Sequence, residues 1–248
     1  MVRIEGMKAR AASLVAALFC VFLSGCLSGC ATAPGETSDP LEPVNRVVFN
    51  FNKALDRHAA LPAASFYRNA IPGPMRSGVH NFLANLGEPV TFGNDVLQGD
   101  FTNAERSAER FALNTTLGVG GVLDVATERG LYARPEDFGI TLGKYGIPSG
   151  PYFVLPLAGP ETVRDFGGRF ADSFMIPTRY FTYAGKAEVS LLMTGLGALD
   201  QRSQNVSILR DIERNSVDYY ATTRSLYLQS RESRIHNGEP VPENLPAF

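Results

Sequence analysis

The sequence predicts an all-α fold in a single domain, and three observations carry this prediction. Apolar residues recur at helical spacing in several long segments. Helix-start signals of the capping type stand before two of these segments. Residues 62–97 show none of the apolar and polar alternation that indicates a half-buried strand. Roughly 200 residues remain once a leader and a tail are set aside, which is enough for one domain with its own core.

The first 25 residues have the pattern of a signal peptide. Three basic residues lie within the first ten, and residues 11–23 form an uncharged apolar run. The run is too short to span a bilayer, which requires about 20 apolar residues. We therefore predict that residues 1–25 direct export.

The apolar run leads into LSGCLSGC, which resembles the bacterial lipobox, where a cysteine thiol is acylated and becomes the mature N-terminus. Cys26 follows the run directly and is the favoured lipidation site, with Cys30 as the alternative. Residues 26–38 are then a lipidated N-terminus followed by a flexible linker of Pro, Gly and Ser type. Two or more acyl chains suffice for stable membrane anchoring.

The motif Asp39-Pro-Leu-Glu42 is a helix-start signature, and the helix is expected to extend to about His58. The apolar residues that share one face are Leu41, Val44, Val48, Phe51 and Leu55. The residues that mark the opposite, polar face are Asn45, Asn52 and Asp56. Phe49 lies among the polar residues, which suggests a second apolar contact; the alternative is an ordinary core helix with one exposed aromatic residue.

The next segments are also helical. Residues 75–86 and 89–97 are predicted as two short helices divided by Gly87. A T-x-x-E capping box at Thr102 predicts a further helix that ends at Gly118. The residues predicted on its apolar face are Phe101, Ala104, Ala108, Phe111, Ala112 and Thr115. The glycines at 118–121 do not form a phosphate-binding loop, because no strand precedes them and no Lys-Ser/Thr follows.

Residues 138–168 form the stretch of the chain that is densest in glycine and proline, and they predict a bent loop or a helical hairpin. Residues 152–157 are expected to be extended. Pro160-Glu161 predicts the start of another helix. The charged residues of that helix form either a solvated face or the polar lining of a passage: Arg164, Asp165, Arg169 and Asp172.

The C-terminal part contains an aromatic cluster and two further predicted helices. Residues 179–183 combine three aromatic rings with an arginine, a composition favoured at the lipid headgroup layer, although it also suits a core. Residues 189–199 are an uncharged run that could lie in the plane of a membrane interface. A long amphipathic helix is expected over residues 205–229, which ends the domain at 230, and residues 231–248 are expected to be a disordered tail.

The residues give little support for enzyme chemistry. All three cysteines lie between positions 20 and 30, the three histidines are far apart, and neither G-x-S-x-G nor H-E-x-x-H occurs. We therefore expect no catalytic residues, no metal site and no cofactor, although a carboxylate pair could still form in space. A formal net charge of −2 does not favour nucleic acid as a partner.

Several segments together resemble the MlaA (VacJ) family of outer-membrane phospholipid-transport lipoproteins. They occur in family order over residues 39–230, and the acylated cysteine fits as well. The segments are Asp39-Pro-Leu-Glu-Pro-Val-Asn-Arg46, Phe49-Asn-Phe-Asn52, Asn85-Leu-Gly-Glu-Pro89, Leu97-Gln-Gly-Asp100, Leu113-Asn-Thr-Thr-Leu-Gly118, Gly120-Gly-Val-Leu-Asp-Val125, Asp137-Phe-Gly-Ile-Thr-Leu-Gly143, Gly150-Pro-Tyr152, Leu155-Pro156 and Arg164-Asp-Phe-Gly-Gly168. The acidic cluster that family members carry after Arg164 is diluted here by Phe166 and Arg169.

The resemblance implies a ring-shaped helical domain with a central amphipathic channel, placed in the periplasm-facing inner leaflet of the outer membrane. Such a protein removes mislocalised phospholipid from the outer leaflet, associates with trimeric porins and passes lipid to a soluble periplasmic carrier. Asn50 and Phe51 then belong to the segment that controls the passage. Asp165 and Asp172 are candidates for its polar wall. The candidate glycines for a loop hinge beside it are Gly143, Gly146 and Gly150.

The same resemblance makes Phe49, Tyr180, Phe181 and the apolar face of residues 189–199 candidates for membrane contact. The main functional hypothesis is thus a non-enzymatic lipid-translocation component. The alternative is a lipoprotein hydrolase that acts on lipid or on an envelope polymer, and a purely structural tether is a third possibility.

Overall fold

The computed structural model describes residues 39–237, and most of them are helical, as predicted. The α-helices are α1 (Glu42–Leu55), α2 (Leu61–Ala70), α3 (Gly73–Leu97), α4 (Phe101–Thr116), α5 (Val125–Glu128), α6 (Phe138–Lys144), α7 (Val163–Asp172), α8 (Lys186–Gln204), α9 (Val206–Asn215) and α10 (Tyr219–Ile235). A π-helix (Asp56–Ala60) joins α1 to α2, and a 3-10 helix (Pro177–Tyr180) precedes α8. Cys26 and Cys30 lie outside the described residues.

Polar side chains mark the starts of five helices. In each case the side chain accepts a hydrogen bond from the backbone N–H three residues later, which satisfies one of the free donors at a helix N-terminus. The five residues are Asp100, Asp124, Asp137, Thr162 and Asp218. The prediction of a capping box at Thr102 was therefore wrong, because Asp100 caps α4 two residues earlier.

Three predicted boundaries also need correction. Residues 73–97 form one helix, because packing of α3 along α4 outweighs the local effect of Gly87 and Pro89. The helix predicted over residues 205–229 is broken at residues 216–218, where Asp218 caps α10. Helix α10 then continues to Ile235, so residues 231–235 belong to the folded domain and not to a tail.

The glycine-rich and proline-rich stretch contains a small antiparallel hairpin. Strand β1 (Tyr152–Leu155) pairs with β2 (Gly159–Thr162), with Tyr152 opposite Thr162 and Leu155 opposite Gly159. Residues 152–155 are therefore extended, as expected. Pro160 and Glu161 lie in β2 and do not start a helix, because the capping residue of α7 is Thr162.

Four contacts organise the helices. Helix α3 packs on α4, α6 on α7, α2 on α8, and α1 on β1. Helix α10 contacts α6 and β2. A small aromatic cluster lies where α1, the hairpin and α10 meet, and it contains Tyr152, Val154 and Tyr220 with Phe49 packed against them. This junction holds the inner face of α1 in place.

Candidate functional site

Helix α1 turns its polar residues inward. Asn45 donates from Nδ2 to the carbonyl of Tyr152 at 3.2 Å and accepts from the amide of Val154 at 3.0 Å. Seven residues later, Asn52 donates to the carbonyl of Leu155 at 2.8 Å and accepts from the amide of Leu157 at 2.9 Å. The two amide side chains thus serve as a partner for the free edge of β1, whose backbone groups would otherwise be unsatisfied.

The apolar face of α1 is exposed. Val44 is 63% exposed and Phe51 is 55% exposed, with Val47 and Leu55 on the same side. Of the five residues predicted to share a face, Val44, Phe51 and Leu55 are therefore exposed, whereas Leu41 is half-buried and Val48 packs against the aromatic cluster. Asn50 is exposed beside Phe51.

Phe49 makes the second apolar contact that its position suggested. Its ring lies 5.2 Å from that of Tyr219 and 5.5 Å from that of Tyr220, both in edge-on geometry. This inward packing on α10 removes Phe49 from the candidates for membrane contact.

The same inversion occurs where α3 and α4 meet. Arg110 donates from Nε to Glu88 Oε1 at 2.6 Å, and Ser107 donates to Asp95 Oδ2 at 2.7 Å, with all four side chains buried. Burial raises the pKa of Glu88 despite the hydrogen bond from Arg110. The predicted apolar face of α4 is mostly on the surface: Phe101, Ala108, Phe111, Ala112 and Thr115 are exposed, and only Ala104 is buried.

Asp165, predicted as part of a channel wall, lies in an internal ion-pair network. Arg231 on α10 donates to Asp165 Oδ1 at 2.8 Å. It also donates to both carboxylate oxygens of Asp137, at 2.6 and 2.7 Å. Tyr227 donates to Asp165 Oδ2 at 2.8 Å. Burial works to raise the pKa of Asp165, but Arg231 and Tyr227 together lower it. The solvated-face interpretation is therefore wrong for Asp165 and for Arg164, which are both buried.

Asp172, the other predicted wall residue, joins three elements. Its Oδ1 accepts from Asn94 Nδ2 on α3 at 2.9 Å and from the backbone amide of Phe138 at the start of α6 at 3.0 Å. Burial raises the pKa of Asp172, and these hydrogen bonds oppose the rise. Asp165 and Asp172 thus lie on the same short helix and engage different partners.

The three predicted hinge glycines lie in different environments. Gly143 is inside α6, where a Cβ would come within 2.5 Å of Ile235 Cδ1, so it is a packing residue and not a loop residue. Gly146 lies in the turn that follows and Gly150 in the irregular segment before β1, with φ of 78° and 69°. Both therefore occupy the left-handed conformation that glycine tolerates best.

A second group of exposed apolar residues begins in the last turn of α7 and continues beyond it. The rings of Phe170 and Phe174 are 5.3 Å apart, and the Arg179 guanidinium lies 4.5 Å from the centre of the Phe174 ring. Tyr180 and Phe181 are 68% and 64% exposed, as their assignment to membrane contact requires. The described residues contain no helix with the length and apolarity needed to cross a membrane.

Helix α8 continues this apolar surface along the chain. On the face predicted from residues 189–199, Val189 and Leu192 are exposed, and Leu191 beside them is 76% exposed. Leu196 and Leu199 are half-buried. The helix therefore combines an exposed apolar start with buried polar residues at its end, Asp200 and Ser203.

A cavity of about 270 Å³ lies between the inner face of α1, the hairpin and the last three helices. We call it the basic groove, because its charged lining comprises four cations and two acids. These residues are Lys53, Arg57, Arg202, Arg210, Asp56 and Glu213. A larger, more open depression over α9 and α10 has Asp211 and Asp218 as its charged lining residues, and no cation lines it.

Ion pairs order the basic groove. Lys53 and Arg57 both contact Glu213 Oε1 at 2.9 Å. Arg202 donates to both oxygens of Asp56, at 2.6 and 2.9 Å. Sequence reasoning missed this site, because its charges come from helices about 150 positions apart. The signal that could have indicated it is the i, i+4 pair of basic residues formed by Lys53 near the end of α1 and Arg57 in the π-helix that follows.

The hydrogen-bond partners of the histidines in the described part of the chain include no serine, threonine or cysteine side chain. The His80 ring contacts Asp200 Oδ2 at 3.0 Å and Gln204 at 2.7 Å. His58 Nδ1 contacts the carbonyl of Ala54, and His236 contacts Glu232. These are structural contacts.

Comparison with known proteins identifies the family. A family model described as MlaA lipoprotein matches residues 37–234. The chain belongs to the MlaA lipoprotein family.

Relatives of the MlaA family support the assignment over almost the full length. The chain is 37% identical to the intermembrane phospholipid transport system lipoprotein MlaA of Escherichia coli (strain K12), over 97% of this chain and 94% of that protein. The protein of the same description in Haemophilus influenzae is 33% identical, over 94% of each. A solved structure, described as the structural basis for maintenance of bacterial outer membrane lipid asymmetry, aligns with a TM-score of 0.69 at 38% identity, over 80% of this chain and 99% of that one.

The segments that carry the MlaA-family resemblance supply much of the buried polar interior. The buried residues from these segments include Asn45, Asn85, Glu88, Asn114 and Asp165. The glycines of two segments allow α6 and α7 to touch, because a Cβ on Gly168 would overlap the backbone of Gly139. The MlaA-family motifs are therefore largely explained by an interior that is polar and closely packed.

Proposed function

We propose that the protein is an outer-membrane lipoprotein that removes mislocalised phospholipid from the outer leaflet and so maintains lipid asymmetry. Its domain sits in the periplasm-facing inner leaflet, anchored by acyl chains on Cys26 or, alternatively, Cys30. Phospholipid moves through an amphipathic channel in the ring-shaped helical domain. A soluble periplasmic carrier then receives the lipid, and trimeric porins hold the protein in place. The mechanism is non-enzymatic.

The single observation that carries this proposal is the inverted polarity of the domain. Large apolar side chains are exposed on α1, α3, α4, α7 and α8, whereas the buried set includes Glu88, Asp95, Arg110 and Asp165. Single exposed apolar residues are ordinary on a water-soluble protein. A helix face made of several such residues marks contact with a membrane or a partner. Each Å² of apolar surface that leaves water contributes about 25 cal/mol of favourable transfer free energy. Inserting these faces into lipid is therefore strongly favourable.

Helix α1 has a double role in this proposal. Its outer face, with Val44 and Phe51, meets acyl chains, and its inner face, with Asn52 and Lys53, lines the basic groove. One helix thereby separates lipid from a polar passage. Asn50 and Phe51 lie at the outward edge of this boundary and are proposed to control entry.

The remaining predicted site residues have supporting roles in the proposal. Asp165 and Asp172 fix α7 against α10 and α3, which maintains the shape of the passage. Gly146 and Gly150 are proposed as the hinge of the adjoining loop, because their left-handed backbone is freely available only to glycine. Gly143 has no part in the hinge.

The experiment that tests this function deletes the gene and measures phospholipid exposed on the cell surface with a membrane-impermeant amine-reactive probe. Loss of the protein is expected to raise the exposed phospholipid, and the wild-type gene is expected to restore it. A Phe51→Asn variant should restore it poorly, whereas the matched variant Leu226→Asn, at an exposed apolar position on α10, should restore it fully. An unchanged outer leaflet in the deletion strain would refute the proposal.

A further inference from the structure

The basic groove holds more positive charge than its own acids neutralise. Glu213 forms ion pairs with both Lys53 and Arg57, and Asp56 forms one with Arg202. Arg210 also lines the groove, and it makes no ion pair or hydrogen bond with the described residues. Four cations against two acids leave an excess of about two positive charges, which favours an anionic ligand.

The cations that remain available are the two arginines nearest to solvent. The Arg57 side chain is 63% exposed, and Lys53 contacts the same oxygen of its ion-pair partner, Glu213. Arg210 is exposed on α9. A guanidinium presents paired N–H donors that match the oxygens of a phosphate group, and such charge-assisted pairs are among the stronger hydrogen bonds.

An apolar wall stands beside these cations. Phe49, Leu61 and Val206 line the same cavity as Arg57 and Arg210. At about 270 Å³ the cavity falls just below the range of about 300 to 1,000 Å³ that is typical of small-molecule sites. It therefore suits a headgroup with the first methylenes of its chains, and the rest of the acyl chains must lie outside.

We propose that the basic groove binds the phosphate of a glycerophospholipid through Arg57 and Arg210 and prefers an anionic headgroup to a zwitterionic one. This inference rests on the proposed function, since it specifies which phospholipids that function handles. A zwitterionic headgroup carries an ammonium that needs an acceptor. The acids of the groove, Glu213 and Asp56, are already engaged by Lys53, Arg57 and Arg202, so the ammonium would meet uncompensated cations.

The test measures binding of short-chain phospholipids to the purified full-length protein in a non-ionic detergent by titration calorimetry. The probes are dihexanoyl phosphatidylglycerol, dihexanoyl phosphatidylethanolamine and the deacylated headgroup glycerophosphoglycerol. Phosphatidylglycerol is expected to bind roughly tenfold more tightly than phosphatidylethanolamine, as one lost charge-assisted interaction implies. The deacylated headgroup should bind much more weakly than either lipid, because it lacks the methylenes that meet the apolar wall.

Variants assign the effect to the groove. Arg57→Gln with Arg210→Gln should weaken binding of phosphatidylglycerol roughly tenfold or more and abolish the preference. The control Arg214→Gln lies on the same helix outside the groove and should change neither. Thermal unfolding of each variant should match the wild type, because the substituted side chains are exposed.

The outcomes separate this inference from the proposed function. Equal binding of both lipids, or a preference that persists in the double variant, would overturn the inference while leaving phospholipid binding intact. Tight binding of glycerophosphoglycerol would also overturn it, by showing a site for free phosphate esters. Absence of binding by any lipid would contradict the proposed function as well.

Discussion

Arg110 on α4 and Glu88 on α3 form an ion pair at 2.6 Å, and their side chains are only 4% and 6% exposed. The same guanidinium donates to Thr127 and to the carbonyl of Leu131. A charge pair of this kind costs desolvation energy, which is offset only when geometry and additional hydrogen bonds are good. Both conditions are met here, so the pair fixes α3, α4 and α5 in one arrangement.

Replacing the arginine tests that role. Arg110→Met should lower the free energy of unfolding by about 3 to 5 kcal/mol, because Glu88 is left as a buried and unpaired charge. Thermal or denaturant unfolding in detergent measures the change. The exposed Arg106 on the same helix provides the control, and Arg106→Met should alter stability by less than about 0.5 kcal/mol. Equal effects of the two substitutions would show that the buried pair is not needed.

The crossing of α6 and α7 gives a second prediction with a neighbouring control. Gly168→Ala should destabilise the protein by about 1 to 3 kcal/mol or more, since its Cβ would overlap the backbone of Gly139. Gly167 has open space at the same position, so Gly167→Ala should be neutral or stabilise α7 by up to about 1 kcal/mol. Melting temperatures of the two variants decide the matter, and similar values would mean that the helices do not approach this closely.

Asp95 predicts a dependence of stability on pH. Burial raises its pKa to about 6, with Glu136 and Asp100 adding to the effect, whereas Ser107 and Lys144 oppose it. In the unfolded chain an aspartate titrates near about 3.9. The native state therefore holds the proton longer, and its free energy of unfolding should fall as pH rises from about 4 to about 6.

An Asp95→Asn variant is the measurement for this effect. The amide keeps an acceptor for Ser107 and does not titrate. The variant should therefore lack the loss in free energy of unfolding that the wild type shows between pH 4 and pH 7, a difference on the order of 2 kcal/mol. Denaturant titrations at the two pH values report it. If the variant keeps the pH profile of the wild type, Asp95 does not titrate as its environment implies.

Neighbouring asparagines on α1 separate structural from functional roles. Asn45→Ala should lower the free energy of unfolding by about 1 to 3 kcal/mol, because the Tyr152 carbonyl and the Val154 amide lose their hydrogen-bond partner. Asn50→Ala should leave stability within about 0.5 kcal/mol, since Asn50 is exposed, yet reduce restoration of lipid asymmetry in the deletion strain. Normal asymmetry with Asn50→Ala would remove this residue from the entry segment.

Sequence reasoning located some of the helices, missed α2 and α5, and did not give the orientation of the helices it found. Helical spacing depends on local chemistry, so α1 and α4 were found close to where they occur, although neither predicted cap is the one observed. Helical spacing shows which apolar residues share a face, as it does for Phe51 and for Phe111, but it does not show whether that face points inward or outward. In this domain Asn45 and Arg110 take the inward positions, and the apolar faces remain outside.

The candidate site was less accessible to prediction, because its contacts join distant segments. Arg231 meets Asp137 and Asp165 across 94 and 66 positions. Arg202 meets Asp56 across 146 positions. No local pattern specifies such pairs. The break before α10 was missed for a different reason: the capping residue Asp218 falls within an otherwise continuous helical pattern.

The central claim is that the apolar face of α1 lies in lipid. Because the chain contains no tryptophan, Phe51→Trp introduces a single fluorescent reporter on that face. The measurement compares quenching of this variant by lipids brominated in their acyl chains with quenching by aqueous iodide, for protein reconstituted in vesicles. We predict strong quenching by brominated lipid and weak quenching by iodide. Strong quenching by iodide without quenching by brominated lipid would contradict the claim.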